Sequence, residues 1–445
     1  MGHAMQYFRR LCDPSAVLLT YYYFPYVVSD AGQDTEADFG GEGGGRTSGS
    51  GPSVEVGGTG GSRSSVPNRK PGDVLVPPPV SIVLVTPRPK PSPAELICTV
   101  GSFAIFHYMF PPDDLCNYVF YTNVVVVKNS LHGVETDASW NQFKTYMKTY
   151  TMTQAGISFE TRYLDPNTLN DHNVQQELTN LAAHNIKHYG FLKVLARLNK
   201  LDGYMSIVIR ALEKLKMTQG TDTSRRLVLA IGFYDYAEPN AWERYRSVIQ
   251  KAVEQTAADT VIAISSTGWI ENQQKCLSAP TSVFDNKRLT DPQRTAAKSY
   301  PDINTHADLV NFMYTKKKTR LGLSLEMGTL VYVLSGNVTD IDKRVYQPCK
   351  NFYLAQSDAV DCQGPTTSML LPGGMRIGSL NTDDSILFSW EDDESFKDKL
   401  EALKTSGKFR EGWSWLLYNV HLVDFTGKCS VDPFVRVQFF KQRLA

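Results

Sequence analysis

The chain has 445 residues, and its 46 basic side chains balance its 46 acidic ones. This balance excludes the strong positive field that attracts nucleic acid or an anionic lipid surface. Aromatic residues make up 11% of the chain, more than a wholly disordered protein carries. We therefore expect a large folded part.

The first 31 residues have the features of a targeting segment. Arg9 and Arg10 precede an apolar run from Ala16 to Val28, and small residues follow in Ser29–Ala31. The run is shorter than the ~20 apolar residues of a membrane helix. We predict a cleaved signal peptide over residues 1–31; the alternatives are a signal anchor and a start without a targeting role.

Residues 32–93 form a predicted linker. Glycine and serine dominate their first half, and proline recurs in the second, for example in Pro77–Pro79. Such a composition buries too little apolar surface to offset the entropy of ordering the chain. We predict a disordered segment here and a folded domain over residues 94–445.

Seven cysteines are present. Six remain outside the predicted signal, which is compatible with three disulfides in an oxidising compartment. Asn337–Thr339 is a glycosylation sequon if the chain is exported. The cysteines are Cys12, Cys98, Cys116, Cys276, Cys349, Cys362 and Cys429.

Short β-rich runs alternate with helical patterns over residues 94–445. The helical patterns lie near Val174–Tyr189, Tyr204–Lys216, Trp242–Glu254 and Ser395–Lys404, where apolar residues recur with helical period. Eight candidate strands fit a closed (β/α)₈ barrel, a TIM barrel of the α/β class, although an open doubly wound sheet would give the same alternation. The candidate strands are Leu96–Gly101, Tyr118–Val126, Gly156–Phe159, Phe191–Ala196, Leu227–Phe233, Thr260–Ser265, Arg320–Leu325 and Trp415–Leu422.

Four segments, in the right order, resemble the chitinase barrel of glycoside hydrolase family 18. Cys98 and Cys116–Tyr121 are similar to that family's first two strands, Ser389–Lys399 to its Tyr-Asp-Asp-x-x-Ser-x-x-x-Lys helix start, and Tyr418–Cys429 to its last strand. The resemblance implies the closed barrel, a disulfide between Cys98 and Cys116, and a short insertion between the seventh and eighth strands.

The family's catalytic motif is absent from the fourth strand. After Lys187–Phe191, active members continue Asp-Gly-x-Asp-x-Asp-x-Glu, whereas Leu192, Leu195, Arg197 and Asn199 occupy the four acidic positions here. The family uses the last Glu as its general acid and the substrate's N-acetyl group as nucleophile. Asn199 has no titratable proton, and Arg197 would oppose a developing cation.

This substitution predicts that hydrolysis by the family mechanism is lost. The alternative is a different register with an acid elsewhere, and Asp202 is the only nearby carboxylate in the sequence. Other site segments are altered as well. They are Glu160 and Thr161 in place of the third strand's Gly pair, Ile264–Thr267 in place of Met-x-Tyr-Asp, and Gly322–Gly328 in place of Gly-x-Pro-x-Tyr-Gly-Arg.

Aromatic residues provide the remaining candidate binding surface. Tyr418 replaces the Trp that floors the central sugar subsite in the family, and Trp269, Trp413 and Trp415 are further candidates. Flat rings stack on the apolar face of a pyranose. For Trp413 and Trp415, packing between barrel and helices is an equal alternative.

Three other patterns carry no functional prediction. His184 and His188 are four residues apart on a predicted helix but lack a third metal ligand, so a solvated helix face is favoured. Lys316–Lys318 is interpreted as a solvated loop and Pro372–Gly378 as an ordinary turn. We expect no metal and no cofactor.

The sequence thus predicts a secreted, non-catalytic chitinase-like protein that binds chitin or other N-acetylglucosamine-containing glycans. One alternative is an interaction or growth-factor-like module with a vestigial groove, and another is an active glycosidase with a displaced acid. We expect no nucleic-acid partner and no membrane contact apart from an N-terminal anchor, if the signal is not cleaved.

Overall fold

The computed structural model describes residues 94–134, 137–220, 222, 224–234, 238–267, 276–285, 289, 291–298, 300–313, 319–356, 366–380, 383–427 and 431–444. The predicted signal and linker, together with Cys12, Cys362, Cys429, Trp269 and Lys316–Lys318, lie outside these ranges. Within them, no helix has the length and apolar character needed to cross a bilayer.

Eight parallel strands close into a barrel. Their order around it is β1-β14-β8-β7-β6-β5-β4-β2, and β2 pairs again with β1. Each predicted strand overlaps one of these, so the (β/α)₈ barrel is confirmed and the open sheet is excluded. The barrel strands are β1 (Glu95–Val100), β2 (Tyr118–Val127), β4 (Gln154–Phe159), β5 (Ile186–Arg197), β6 (Leu227–Tyr234), β7 (Thr260–Ala263), β8 (Arg320–Glu326) and β14 (Ser414–Tyr418). A short strand, β3 (Ser130–Gly133), forms an antiparallel hairpin with β2.

Helices connect the barrel strands. The apolar stripe predicted from Met205 to Leu215 is buried along the longest of them, as an amphipathic helix on a barrel requires. The α-helices are α1 (Asp137–Met147), α2 (His172–Asn180), α3 (Leu198–Gln219), α4 (Ala241–Gln255), α5 (Asp291–Ala297), α6 (Ile303–Phe312), α7 (Asp393–Thr405) and α8 (Val435–Leu444). Short 3₁₀ turns are His107–Met109, Thr161–Tyr163, Pro166–Asn170, Leu181–His184, Ile341–Arg344 and Val420–Leu422.

Two predicted element ends are wrong. The helix predicted to reach Tyr189 ends earlier, because Asn185 adopts a left-handed conformation (φ 62°) and β5 starts at Ile186. His184 and His188 therefore share no helix face, and His188 lies inside the sheet. The last barrel strand ends at Tyr418 because Asn419 (φ 55°) turns the chain into a 3₁₀ helix.

The core has an inner and an outer layer. The outer layer packs the barrel strands against the helices. Gly322 permits the close approach of β8 and β14, since a Cβ there would lie 1.9 Å from the carbonyl oxygen of Ser414. The inner layer fills the barrel and consists of Ile97, Phe120, Leu192, Val228, Ala230, Ile262, Ile264, Leu416 and Tyr418, with Tyr118 and Leu195 at its margin.

An ion cluster closes the end of the barrel at which the strands begin. Glu95, at the start of β1, contacts Arg226 at 2.8 Å and Arg320 at 3.5 Å. The hydroxyl of Ser414 donates a further hydrogen bond to Glu95 at 3.0 Å. These residues precede or open β6, β8 and β14, so one carboxylate joins four strands.

An antiparallel sheet is inserted between β8 and β14, where the resemblance implied an insertion. Its strand order is β10-β9-β13-β12-β11. A buried ion pair, Glu391–Lys399 at 2.5 Å, joins the end of this sheet to α7. The strands are β9 (Thr329–Leu334), β10 (Cys349–Ala355), β11 (Thr366–Leu371), β12 (Met375–Leu380) and β13 (Ile386–Trp390).

Two disulfides lie within the described residues. Cys98 on β1 pairs with Cys116, just before β2, with Cα atoms 6.1 Å apart, which confirms the pairing that the resemblance implied. Cys276 pairs with Cys349 on β10, with Cα atoms 5.0 Å apart. This second bridge ties the connection after β7 to the inserted sheet.

Candidate functional site

The carboxyl ends of the eight parallel strands meet at one end of the barrel, here called the mouth. In TIM barrels the loops at this end carry the functional residues. The side chains at the mouth therefore decide what chemistry the protein can perform.

The fourth barrel strand, β5, places its motif residues at different depths. A register shift between Phe191 and Val194 interrupts its pairing with β6. Leu192 is fully buried in the inner layer, Leu195 lies at its margin, and Arg197 is exposed at the strand end. Asn199 is not on the strand at all: it is the second residue of α3, with an exposed side chain.

Asn199, which the sequence resemblance matched to the family's acidic position, thus lies on the surface of a helix. Asp202, the only carboxylate close to this segment in the sequence, is exposed one turn further along α3 and pairs with Lys251 at 3.3 Å. Neither side chain lies where a strand-end acid would.

One carboxyl group that the sequence interpretation did not single out does lie at the mouth. Glu326 ends β8 and is 1% exposed. The amide Nδ2 of Asn419 donates to both of its oxygens, at 3.1 and 3.0 Å, and the backbone N–H of Gly328 donates at 2.9 Å. Burial raises the pKa of Glu326 to about 7, against the opposing effect of these donors and of Lys193.

Tyr418 closes the barrel interior beneath the mouth. Its side chain belongs to the inner layer and is 8% exposed. The hydroxyl donates a hydrogen bond to the carbonyl oxygen of Leu192. Burial raises the pKa of this hydroxyl well above its usual value, so Tyr418 stays neutral.

Trp413 and Trp415 lie in the outer layer, where the packing alternative accounts for them. Trp415 packs edge-to-face on Phe440, with ring centroids 5.2 Å apart, and Trp413 packs on Phe409 at 6.1 Å. Both side chains are buried. The structure does not bring them together with Tyr418, and Trp269 is outside the described residues.

Exposed aromatic rings occur instead in the segment that follows β1. Phe103 and Phe106 are each 37% exposed and Tyr108 is 39% exposed. The rings of Phe106 and Tyr108 are stacked, with centroids 5.3 Å apart and planes 7° from parallel. These three residues are the β1-loop aromatic group, and the signal that could have found them is the Phe-x-x-Phe-x-Tyr spacing directly after a strand.

The end of the sixth barrel strand is a hydroxyl network. Ser265 Oγ donates to the carbonyl oxygen of Ser324 at 2.8 Å, and the hydroxyls of Ser266 and Ser324 are 2.9 Å apart. These paired hydroxyl groups join the end of β7 to β8.

A shallow recess lies where β4 and β5 end. Glu160, Thr161 and Arg162 follow β4, and Arg162 Nε contacts Glu160 Oε1 at 3.1 Å. The recess is lined by Glu160, Thr161, Arg162, Lys193, Leu195 and Tyr204. Among the described residues, no three His, Cys, Asp or Glu side chains converge as a metal site.

Known protein structures share this fold. No protein-family model and no curated protein matches the chain. Solved structures do: human YKL-39, described as a pseudo-chitinase with retained chitooligosaccharide binding, superimposes with a TM-score of 0.55 at 14% identity, over 79% of this chain and 99% of that one.

Two further structures are similar. One is an immunomodulatory active chitinase of Trichuris suis, with a TM-score of 0.51 at 10% identity over 79% of this chain and 100% of that one. The other is a chitinase-like agglutinin of Robinia pseudoacacia, with a TM-score of 0.51 at 11% identity over 78% and 99% of the two chains. The chain therefore has the barrel fold of chitinases and chitinase-like proteins.

Proposed function

We propose that this protein is a secreted, non-catalytic chitinase-like protein that binds chitin-type or other N-acetylglucosamine-containing glycans at the barrel mouth. The observation that carries the proposal is the set of side chains at the end of β5. There Arg197 is exposed and Asn199 is helical, and the sequence resemblance matches both residues to carboxylates of the active enzymes.

Loss of catalysis follows from the chemistry of these groups. Cleavage of a glycosidic bond requires a proton donor near the leaving oxygen, and general acid catalysis contributes about 10²–10⁴-fold. An amide donates no proton, and a guanidinium destabilises a neighbouring oxocarbenium ion electrostatically.

Glu326 is the candidate acid for the alternative, an active glycosidase. Its pKa of about 7 suits a general acid. However, both oxygens accept hydrogen bonds from Asn419, and only 1% of the residue is exposed. A donor that is fixed in this way does not reach a glycosidic oxygen, which supports the non-catalytic proposal.

Retained glycan binding is supported by the β1-loop aromatic group. Stacked, partly exposed rings at the carboxyl end of a barrel strand provide a flat apolar surface for a pyranose. The likeness to a pseudo-chitinase that retains chitooligosaccharide binding points the same way.

Secretion is supported by the two disulfides, which form in oxidising compartments. Asn337 is exposed in the turn after β9, as a glycosylated asparagine must be. Glycosylation at this sequon and cleavage after residue 31 are part of the proposal.

The test combines binding and turnover. We expect the protein to bind chitin beads and chitohexaose, and to release no product from a fluorogenic chito-oligosaccharide. Replacing the aromatic group (Phe103→Ala, Phe106→Ala, Tyr108→Ala) should weaken binding at least tenfold, since each lost stack contributes about 1 kcal/mol.

Phe312→Ala is the matched control, because this ring is 66% exposed on α6. Turnover that disappears in Glu326→Gln would establish the enzyme alternative. Absence of binding to every glycan would favour the interaction module with a vestigial groove.

A further inference from the structure

We infer that Phe425 positions the β1-loop aromatic group for glycan binding, and that it acts through the ring of Tyr108. The inference rests on the proposed glycan-binding function and deepens it, because it names a residue that governs binding without contacting the glycan. Phe425 ends the segment that follows the last barrel strand, residues 419–425, here called the β14 tail.

Two hydrogen bonds join the β14 tail to the end of β1. The backbone N–H of Asn419 donates to Thr99 Oγ1 at 2.9 Å. The backbone N–H of Gly101 donates to Nδ1 of His421, a residue that is 1% exposed, at 3.3 Å. A Cβ at Gly101 would lie 3.2 Å from His421 Cε1, so glycine permits this close approach. The two segments therefore leave the barrel as a joined pair.

Ring contacts continue this connection to the exposed aromatic residues. The centroids of the Phe425 and Tyr108 rings are 5.5 Å apart, and their planes are 32° from parallel. Tyr108 in turn stacks on Phe106, with centroids 5.3 Å apart. Phe425 is 2% exposed, whereas Tyr108 is 39% exposed and Phe106 is 37% exposed. The three rings thus form a chain of contacts from the protein interior to the surface.

Helix α1 contacts the same segment through the residues beside Tyr108. The ring of Tyr146 stacks on His107, with centroids 5.8 Å apart, and on Phe110, with centroids 5.5 Å apart. These contacts hold the backbone before and after Tyr108. Among the described residues, however, Phe425 is the only aromatic residue from outside the segment whose ring contacts the Tyr108 ring. The orientation of the Tyr108 ring therefore depends on the β14 tail.

The orientation of these rings matters for affinity. A side chain that is held in place before the ligand arrives loses little rotamer freedom on binding, whereas a free side chain must be ordered by the ligand at a cost in affinity. Without the Phe425 ring, Tyr108 and the Phe106 ring that stacks on it lose their support from the protein interior. Glycan affinity should therefore depend on a buried ring.

The first experiment removes that ring and keeps an apolar side chain, with Phe425→Leu. Affinity is measured for chitohexaose by calorimetry and for chitin beads by depletion. We expect binding to be about three- to tenfold weaker, which corresponds to ordering one or two side chains on binding. Thermal melts verify the fold. Phe425→Met, whose unbranched side chain adapts to an irregular gap, should show the same loss and replaces the Leu variant if that one does not fold.

Phe396→Leu is the matched control. Phe396 is fully buried on α7, and its ring packs on Phe440 at 5.0 Å. The control removes a buried ring in the same way, so it should lower the melting temperature as Phe425→Leu does. Because its ring contacts α8 and not the β1-loop aromatic group, affinity should stay within about twofold of the unsubstituted protein.

A double-mutant cycle tests whether Phe425 acts through Tyr108. Tyr108→Ala removes the ring that Phe425 contacts, and it weakens binding by itself if the aromatic group is the binding surface. In that background the ring of Phe425 has nothing left to position. Adding Phe425→Leu to Tyr108→Ala should therefore change the affinity by less than about twofold.

The outcomes are separable. Unchanged affinity in Phe425→Leu overturns this inference and leaves the proposed function intact. Equal losses of affinity in Phe425→Leu and Phe396→Leu also overturn it, because a general loosening of the core would then explain both. So does a Phe425→Leu loss that persists in full in the Tyr108→Ala background. If the unsubstituted protein binds neither chitohexaose nor chitin beads, the proposed function itself is overturned, and this inference with it.

Discussion

The hydroxyl of Tyr418 donates a hydrogen bond across the barrel to the carbonyl oxygen of Leu192. Leu192 lies at the register shift of β5, and its backbone N–H donates to Ser158 Oγ at 2.8 Å. Both backbone groups of this residue are therefore satisfied by side chains of other strands. Tyr418 therefore holds the irregular backbone of β5 from across the barrel interior.

Removing the Tyr418 hydroxyl tests this bond. Tyr418→Phe leaves a buried carbonyl oxygen without its donor, which costs about 1–3 kcal/mol. We expect the free energy of unfolding in urea to fall by that amount. Tyr163→Phe is the control, because Tyr163 is 62% exposed and should change the free energy by less than about 0.5 kcal/mol. Equal effects of the two substitutions would contradict the role assigned to the Tyr418 hydroxyl.

Glu326 should make stability fall as pH rises. Its pKa is about 7 in the folded protein and near 4.5 in the unfolded chain. Between these values the folded state holds a proton that the unfolded state has lost, so raising the pH favours unfolding. The full effect is on the order of 3 kcal/mol and is reached above the folded pKa.

Glu326→Gln removes this titration and keeps an oxygen for the Asn419 and Gly328 donors. We expect the melting temperature of the variant, relative to the natural protein, to rise between pH 4.5 and 7 and to level off above that. A difference that stays constant over this range would show that Glu326 is ionised throughout.

The buried histidines should make stability fall as pH falls, which is opposite to the effect of Glu326. Burial lowers the pKa of His421 to about 3, of His188 to about 3 and of His306 to about 4, from 6.5. Below pH 6.5 these histidines are protonated in the unfolded chain but stay neutral in the folded protein. Protonation therefore favours the unfolded state, and the protein loses stability as pH falls.

His421 is the most direct test, because its Nδ1 accepts the backbone N–H of Gly101 at 3.3 Å. His421→Asn should be less stable than its parent at pH 7, and the gap in melting temperature should narrow towards pH 4. Measuring both proteins in the Glu326→Gln background removes the other titration. A gap that widens on acidification would refute the lowered pKa.

Much of the barrel was predictable because each strand has a local signal. The continuous apolar run at Leu227 marks a strand that is buried on both faces, and the stripe from Met205 marks a helix on the barrel surface. The mouth was less predictable. Nothing in the periodicity shows that β5 contains a register shift and ends before Asn199, since both depend on contacts with other strands.

Long-range contacts also explain the other differences. The sequence around Trp413 and Trp415 does not show whether these rings face a ligand or the surrounding helices. Trp415 faces a helix because Phe440 of α8 packs against its ring. The sequence does not identify Glu326 as a candidate site residue, because its raised pKa comes from burial and the neighbouring residues do not reveal that burial.

The ion pair between Glu391 and Lys399 should be essential for joining the inserted sheet to the barrel. Glu391 is fully buried and also accepts hydrogen bonds from Thr281, Ser282 and Ser395. Lys399→Met leaves a buried carboxylate without its counter-ion, which costs about 3–5 kcal/mol. We expect this loss in urea unfolding, together with a raised proteolytic sensitivity of the inserted sheet.

Adding Glu391→Gln to Lys399→Met should recover much of the loss, because a neutral amide no longer needs a counter-ion. Lys343→Met is the matched control: its pair with Asp340, also at 2.5 Å, is solvent-exposed and contributes less than about 1 kcal/mol. If Lys399→Met costs no more than Lys343→Met, burial does not strengthen the Glu391 pair. In that case the inserted sheet is held by its apolar contacts and the Cys276–Cys349 bridge instead.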